Sequence, residues 1–429
     1  MKVLIISHNP MSTKHSIGKT LLSLFSIFNK EELCQLYIHT GLPEKAVCNS
    51  FYRITDIDVL KGFFTRKVNG GRVDALEQNQ PDENKDSQIY QMTYGSSKKR
   101  QPYREVLRDI MWKFSPWYNS ELKAWLEKEK PTCIFVAIGS STFLYNMAVK
   151  ISAAYNIPIF TYVCDDFYSM NVPKAFLGRY WKRAITKKTD RLMAHSSGII
   201  TICDELTNYY AAQFNKPTYT VMTGTNYQVA KNPKDGACVN TLRYFGKLSL
   251  NRYLSMADIC RVIDEINKEK NHNFKVEIFS DLCDEQAVKA FDGIDCVKLN
   301  GFITGDDFKS AFFSSDALIH IEAFDEESVD RVKFSVSTKI ADSLSSGIPM
   351  FAYGPLKVAS MQHLIRNKCA VTAVSKAELK VKLESLLFDE NVRKAISCNA
   401  LSTAERFHNP QNVSLALKKH ITECQNEKI

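Results

Sequence analysis

Two groups of residues carry charge and hydroxyls at the ends of strand patterns, and one of them has the build of a phosphate-accepting helix start. Residues 317–355 read ALIHIEAFDEESVDRVKFSVSTKIADSLSSGIPMFAYGP. A strand pattern there ends in an acidic loop, and Ser335, Ser337 and Thr338 stand at the start of a helix pattern whose apolar side includes Ile340, Ala341 and Leu344. Backbone N–H groups and hydroxyls at such a start point toward an anion, and Lys339 adds a positive charge. Earlier in the chain, Tyr244-Phe245-Gly246-Lys247-Leu248 closes another strand pattern and Arg252 follows. Between the two groups, Gly301-Phe302-Ile303 ends a strand pattern and Asp306 is a helix cap.

Other candidates carry less chemistry. Gly18-Lys19-Thr20 after the first strand lacks the earlier glycine of a full phosphate loop, because Thr13 stands in its place. A helix start near Gly18 could still receive an anion or a sugar hydroxyl; an ordinary tight turn reads equally well. Asp56-Ile57-Asp58 has the form of a metal-holding acid pair, but no apolar strand precedes it, and no metal is predicted. Cys164-Asp165-Asp166 follows a buried strand pattern, where a carboxylate could orient a sugar hydroxyl or merely cap a helix. His8 and Asn9 follow the first strand in the same way.

The elements that must position these groups alternate. A strand at 2–7, a loop at 8–16 and a helix at 17–28 open the chain. After a polar excursion at 56–101 come helices at 103–114 and 120–129, strand 133–137, helix 142–155, strand 158–163, a basic helix, strand 198–202, helix 204–213 and strand 218–222. Residues 224–237, rich in Gly, Asn, Pro and Lys, read as a linker. The alternation then restarts, with strands at 241–245, 274–279, 297–299, 317–321 and 349–353 and helices between them. Alternating strands and helices predict parallel sheets, and the economical fold class is α/β with two Rossmann-like doubly wound domains facing a cleft. The domains are expected at 1–226 and 237–395, with C-terminal helices at 396–429 crossing back to the first.

The 429 residues are 45% apolar or aromatic and 24% charged, which excludes a disordered or fibrous chain. Lys and Arg number 56 against 47 Asp and Glu, a net charge of +9. Much of this excess lies at 174–191, where Lys174, Arg179, Lys182, Arg183, Lys187, Lys188 and Arg191 are interleaved with aromatics. That pattern suits an anionic membrane surface or simply a solvated helix face; Lys98-Lys99-Arg100 with Arg104 and Arg108 could add to it. The 12 cysteines form no C-x-x-C pair, which points to reduced thiols in the cytoplasm. No apolar run is long enough to span a bilayer, so membrane contact would be peripheral. Nucleic acid is not an expected partner, since no recognition module competes with the α/β alternation.

The 317–355 segment resembles the donor-binding segment of GT-B glycosyltransferases, particularly the retaining family 4. Gly347-Ile348-Pro349-Met350-Phe351 matches the end of the family pattern, and Asp342 takes the place of its second carboxylate, which implies contact with the donor ribose. The first carboxylate of the pattern falls on Phe334, unless the acidic residues Glu322, Asp325, Glu326 and Glu327 supply it after an insertion. Gly246-Lys247-Leu248 with Arg252 resembles the family's diphosphate-binding pair, and Phe302 and Ile303 its nucleobase loop. Asp165 and Asp166 stand where many relatives have His-Asp. The Ser-x-Ser-Thr-Lys-Ile variant is similar to enzymes of bacterial capsule and O-antigen assembly.

The resemblance implies a retaining, metal-independent transfer of a sugar from a nucleotide-diphosphate donor, of UDP or GDP type, to a saccharide or lipid-linked saccharide in surface polysaccharide synthesis. The nucleotide sugar would be a co-substrate, with no further cofactor. Two alternatives stay open: a sugar-nucleotide 2-epimerase of the same fold, and a non-catalytic GT-B partner subunit.

Overall fold

Continuous apolar runs are the mark of strands covered on both faces, and they form the centre of the first sheet. β1 (Val3–Ser7), β5 (Cys133–Ile138) and β6 (Ile159–Val163) are buried at every position. A computed structural model describes residues 1–74, 102–170, 176–225, 227–232, 238–281 and 285–426. Around these strands it adds β2 (Leu33–Tyr37), β3 (Phe51–Arg53), β4 (Gly71–Arg72), β7 (Ser196–Thr201) and β8 (Thr218–Thr220). The order is β4-β3-β2-β1-β5-β6-β7-β8, and every pairing is parallel except β3 with β4.

The second sheet comprises β9 (Thr241–Phe245), β10 (Lys275–Phe279), β11 (Val297–Asn300), β12 (Ala317–Ile321), β13 (Met350–Tyr353) and β14 (Val371–Ala373), in the order β11-β10-β9-β12-β13-β14. All of its pairings are parallel. Each sheet reverses its strand order once, between β1 and β5 and between β9 and β12. Connections on the two sides of such a reversal leave toward opposite faces, so a crevice opens at the carboxyl ends of the strands. The two crevices are where the candidate sites lie.

The chain divides into two compact units, Met1–Val221 with Val413–Ile429, and Met222–Asn412. The first therefore ends earlier than 226, and the expected C-terminal block at 396–429 is split between them. The Glu390–Phe407 helix stays with the second unit because Ala400 and Ala404 pack in one core with Ile340 and Leu344. Only the Pro410–Asn426 helix returns to the first unit. It buries Val413, Leu417, Ile421 and Cys424 on one side, stacks His420 on Tyr219 with ring centroids 4.1 Å apart, and pairs Lys418 with Glu32 at 3.0 Å.

The segment expected as an irregular excursion from 56 instead begins with a helix, Asp56–Thr65. Thr55 accepts from the Asp58 backbone N–H while Asp58 accepts from the Thr55 backbone N–H, a reciprocal capping box that stabilises the helix start. Residues 75–101, including Pro81 and Lys98-Lys99-Arg100, lie outside the described residues, as does Lys174. Among the described residues no helix is long and apolar enough to cross a membrane.

Candidate functional site

At the β9/β12 reversal a cavity of about 260 Å³ opens in the second unit. Its cationic wall begins in the loop after β9. Tyr244 Oη donates to the Lys247 carbonyl at 2.9 Å, and Leu250 and Asn251 both adopt left-handed backbone, with φ of 56° and 54°. That conformation is costly for a leucine and persists only where surrounding contacts enforce it. One such contact is Asn251 Nδ2 donating to Asp325 Oδ2 at 3.1 Å. The turn delivers Arg252 as the first residue of the Arg252–Lys270 helix, facing β12.

Arg252 meets Glu322, which follows the end of β12. Its Nη2 lies 2.8 Å and its Nε 2.9 Å from Glu322 Oε2. Glu322 is only 3% exposed, and its other oxygen accepts from Ser360 Oγ at 3.3 Å and lies 3.5 Å from His320 Nε2. Burial lowers the His320 pKa to about 4, despite the neighbouring carboxylate. Among the four acids that sequence left open, Glu322 is therefore the one in the cavity. Asp325 caps the Glu326–Val332 helix, and Glu326 and Glu327 are exposed.

The opposite wall is the start of the Thr338–Ser345 helix. Ser337 caps it, with Oγ accepting from the Lys339 N–H at 3.4 Å. Ser337, Lys339 and Asp342 line the cavity together with Lys247 and Arg252. Lys339 reaches solvent through the mouth, yet protein crowds its ammonium. Desolvation first, then the Arg252 and Lys247 cations, lower its pKa to about 8, while Glu322 acts in the opposite sense. Asp342 accepts from Thr225 Oγ1 at 3.0 Å. Gly246 has no room for a side chain, since a Cβ there would stand 2.7 Å from both Lys339 Nζ and Tyr244 Oη. Phe245, Phe308, Phe312, Leu318 and Met350 give the same cavity an apolar lobe, backed by Phe279 stacked on Phe245 with centroids 4.9 Å apart.

Besides Gly246, whose chain neighbours Phe245 and Lys247 line the cavity, four expected residues stand outside this lining. Ser335 is held in a turn by its N–H bond to the Val332 carbonyl at 2.8 Å, and Thr338 is exposed on the helix. Phe302, 68% exposed, and Ile303 occupy the loop after β11 at the same edge of the sheet. Three cations facing one buried carboxylate and Asp342, beside a helix start, are an arrangement that could share the charge of a phosphate group through short charge-assisted bonds.

A second cavity, of about 330 Å³, opens at the β1/β5 reversal of the first unit and includes His8, Asn9, Arg108, Ser141, Cys164, Asp165 and Phe167 in its wall. His8 Nδ1 and Arg108 Nη1 both bond Ser141 Oγ, at 3.0 and 2.9 Å. Arg108 Nε and Trp112 Nε1 both donate to Asp56 Oδ1, at 3.0 and 2.7 Å. The Asp56-x-Asp58 pair is thus taken up by Arg108 and by its own helix cap. Burial, reinforced by Asp165, pushes the Cys164 thiol well up, which disfavours the reactive thiolate.

Asp165 lines this cavity, but Asp166 does not. Its carboxylate accepts from the Tyr168 and Ser169 backbone N–H groups at 3.0 and 3.1 Å and from Tyr210 Oη at 3.1 Å, so it shapes the turn. Gly18 is likewise structural. It lies inside the Ser16–Leu24 helix, where a Cβ would sit 2.4 Å from the Ser12 carbonyl oxygen and 2.6 Å from that of Pro10.

The basic stretch forms part of the Phe176–His195 helix. Lys182 is turned inward, donating to the carbonyls of Tyr168 and, at 2.8 Å, Met170. Lys188 pairs with Asp109 at 2.6 Å. Arg179, Arg183, Lys187 and Arg191, one helical turn apart, remain as an exposed ridge beside exposed Tyr180.

No family model matches the chain, and no curated protein matches its sequence. Solved structures do match its fold over nearly its whole length. Anabaena Alr3699/HepE in complex with UDP aligns with a TM-score of 0.62 at 11% identity, covering 99% of this chain and 100% of that one. Sucrose-phosphate synthase (tll1590) from Thermosynechococcus elongatus aligns with a TM-score of 0.62 at 10% identity, covering 100% of both chains. An alpha,alpha-trehalose-phosphate synthase (UDP-forming) from Burkholderia xenovorans, in complex with glucose-6-phosphate, aligns at 0.59 and 8% identity, covering 99% and 100%. The chain has the GT-B fold of these proteins, two parallel-sheet α/β domains with a C-terminal helix.

Proposed function

We propose that the protein is a glycosyltransferase that moves a sugar from a nucleoside-diphosphate donor to a saccharide acceptor. The observation that carries this reading is the convergence of Lys247, Arg252, Ser337, Lys339 and Asp342 on one cavity at the β9/β12 reversal. The complexes of fold neighbours with UDP support it. In this reading Lys247, Arg252 and Lys339 hold the diphosphate, Asp342 receives a ribose hydroxyl, and the apolar lobe around Phe245 and Phe308 takes the base.

The finer chemistry is also our proposal. The reaction is retaining and needs no metal. The bond from the sugar's anomeric carbon to the diphosphate breaks as that carbon bonds to the acceptor oxygen, and the acceptor proton passes to the departing phosphate. Cations fixed before the reaction stabilise the charge on that phosphate without reorganising. The first-unit cavity, with Asp165, His8 and Ser141 in its wall, receives the acceptor. The exposed ridge of Arg179, Arg183, Lys187 and Arg191 suits the anionic inner face of a membrane and thus a lipid-linked acceptor in surface polysaccharide assembly, as expected of a family 4 enzyme of the capsule or O-antigen type.

A thermal-shift panel of UDP, GDP, ADP and CMP sugars, repeated with Lys247→Ala and Arg252→Ala, tests the donor site. One nucleotide is expected to raise the melting temperature of the native protein, and both substitutions to remove most of that increment. An increment untouched by either substitution sinks the assignment. Release of UDP and an altered sugar without any acceptor would instead identify an epimerase.

A further inference from the structure

Asp342, in the wall of the second-unit cavity, is held by a residue 117 positions earlier in the chain: Thr225 Oγ1 donates to its Oδ1 at 3.0 Å. The direction of that bond is fixed. Thr225 Oγ1 already accepts from the Tyr227 backbone N–H at 3.1 Å, and a hydroxyl has one proton to give, whereas a carboxylate only accepts. Thr225 is 3% exposed, so solvent seldom competes for that proton. Further on, the Ala230 N–H donates to the Ser345 carbonyl at 2.8 Å. The segment therefore meets the Thr338–Ser345 helix at both of its ends.

Behind Thr225 stands a chain of hydrogen bonds in which every proton has one place. The Thr225 N–H donates to the His408 carbonyl at 2.7 Å, and His408 Nδ1 lies 2.8 Å from the Thr223 carbonyl. A carbonyl cannot donate, so Nδ1 carries the proton, and in the neutral ring Nε2 is left to accept. Its donor is His363 Nε2, 3.2 Å away. His363 Nδ1 then accepts in turn, from Asn367 Nδ2 at 3.4 Å, an amide nitrogen that also donates to the His363 carbonyl at 2.8 Å. Burial keeps both rings neutral, and all of these residues belong to the second unit.

Asp342 shares its cavity with Lys247, Arg252 and Lys339, and Lys339 lies one helical turn before it on the same helix. Opposite charges at that spacing attract one another. Without the Thr225 bond, the carboxylate is drawn toward that ammonium and away from any hydroxyl it would receive. A site keeps its working geometry when its side chains are locked by such supporting bonds. We propose that Thr225 is a positioning residue for the donor site: its hydroxyl, fixed by the His408–His363 chain, keeps Asp342 on the ribose rather than on the cations and so sets the preference for ribonucleotides over deoxyribonucleotides. The proposal rests on the reading of Asp342 as the ribose contact.

The experiment is isothermal titration calorimetry on the intact protein with UDP, 2′-deoxy-UDP and 3′-deoxy-UDP, or the same three forms of whichever nucleotide the thermal-shift panel selects. A hydrogen bond to a charged group is worth enough for the native protein to bind the ribose form at least about tenfold more tightly than one of the deoxy forms. Thr225→Val, nearly isosteric, should reduce that preference to about threefold or less, and Thr225→Ala carries the same expectation with no methyl group to misplace. Thr225→Ser, which keeps the hydroxyl, should restore it. The circular dichroism melt of each variant establishes that it is folded.

A preference unchanged in the folded valine or alanine variant overturns the proposal and leaves the donor site standing. So does an equal loss of affinity for all three nucleotides, which a merely structural role for Thr225 would produce. Deoxy forms bound by the native protein as tightly as the ribose form fault the ribose role of Asp342 and this proposal with it. No nucleotide bound at all brings down the donor reading itself, together with what rests on it.

Discussion

Glu322→Gln isolates the electrostatic design of the second-unit cavity. The side chain is nearly isosteric, but it removes the one buried negative charge facing Arg252, Lys247 and Lys339. At an effective dielectric of about 20, charges at the observed 2.8 Å separation attract by about 6 kcal/mol. The glutamine oxygen keeps a hydrogen bond to Arg252, and the arginine side chain retains 21% of its exposure, so solvent recovers much of that attraction. The net loss is about 2 kcal/mol, or roughly 4–8 °C in the melting of a unit of this size. The assay is differential scanning calorimetry in a phosphate-free buffer, with and without saturating UDP. The variant should melt lower alone, and UDP should close most of the gap, because its diphosphate supplies the missing charge. A transition unchanged by the substitution, or a loss equally large with UDP present, refutes the reasoning.

Two further outcomes depend on pH. Lys339, with its pKa lowered to about 8, is charged below that value and loses its proton above it, whereas a bound diphosphate favours the charged form. UDP binding should therefore take up a proton as pH rises through about 8, and affinity should fall there. Isothermal titration calorimetry in buffers of different ionisation heat would detect the proton, and Lys339→Arg should abolish the dependence. The second outcome concerns His363 and His408, whose Nε2 atoms lie 3.2 Å apart in the interior, with pKa values lowered by burial to about 3 and about 4. The unfolded chain binds protons near the usual 6.5 while the folded pair stays neutral, so their contribution is intact above 6.5 and is lost as pH falls toward 4. By pH 5 the loss is about 2 kcal/mol per histidine. Urea midpoints at pH 7 and 5 measure it, and a His408→Gln variant should show a shallower decline.

The doubly wound fold was legible because buried parallel strands write themselves as unbroken apolar runs, as in Cys133–Ile138. Four strands were not legible: Leu33–Tyr37, Phe51–Arg53, Gly71–Arg72 and Val371–Ala373. The first has a glutamine at its centre, Gln35, which is buried because its amide bonds Ser7 Oγ and the Met11 N–H across the sheet. A polar residue satisfied by a distant loop cannot be told from a surface one by pattern alone. The Asp56–Thr65 helix did have a local signal, Thr55 with Asp58, carried by an acid that also belongs to the Asp56-x-Asp58 pair.

At the second-unit cavity, the Ser337–Lys339 cap was readable from local pattern and Lys247 and Arg252 came from the family resemblance, whereas Glu322 was one acid among four. Its selection depends on burial at a strand end and on Arg252, which approaches from a helix far away in sequence. In the first unit the sequence placed Asp165 and Asp166 on equal terms. Only the turn through Tyr168 and Ser169 separates them, drawing Asp166 away from the cavity.

The return of the Pro410–Asn426 helix makes the second unit an insertion within the first. On the ribosome, a chain synthesised from its amino end exposes all of Met222–Asn412 before the strip of Val413, Leu417, Ile421 and Cys424 that seals the first unit. The usual order of domain maturation is thereby inverted: the unit begun first is completed last. A polypeptide halted just short of this helix would carry every residue of the cationic cavity while leaving the surface around Phe28 and Tyr219 uncovered, a target for chaperones and proteases that the finished molecule conceals.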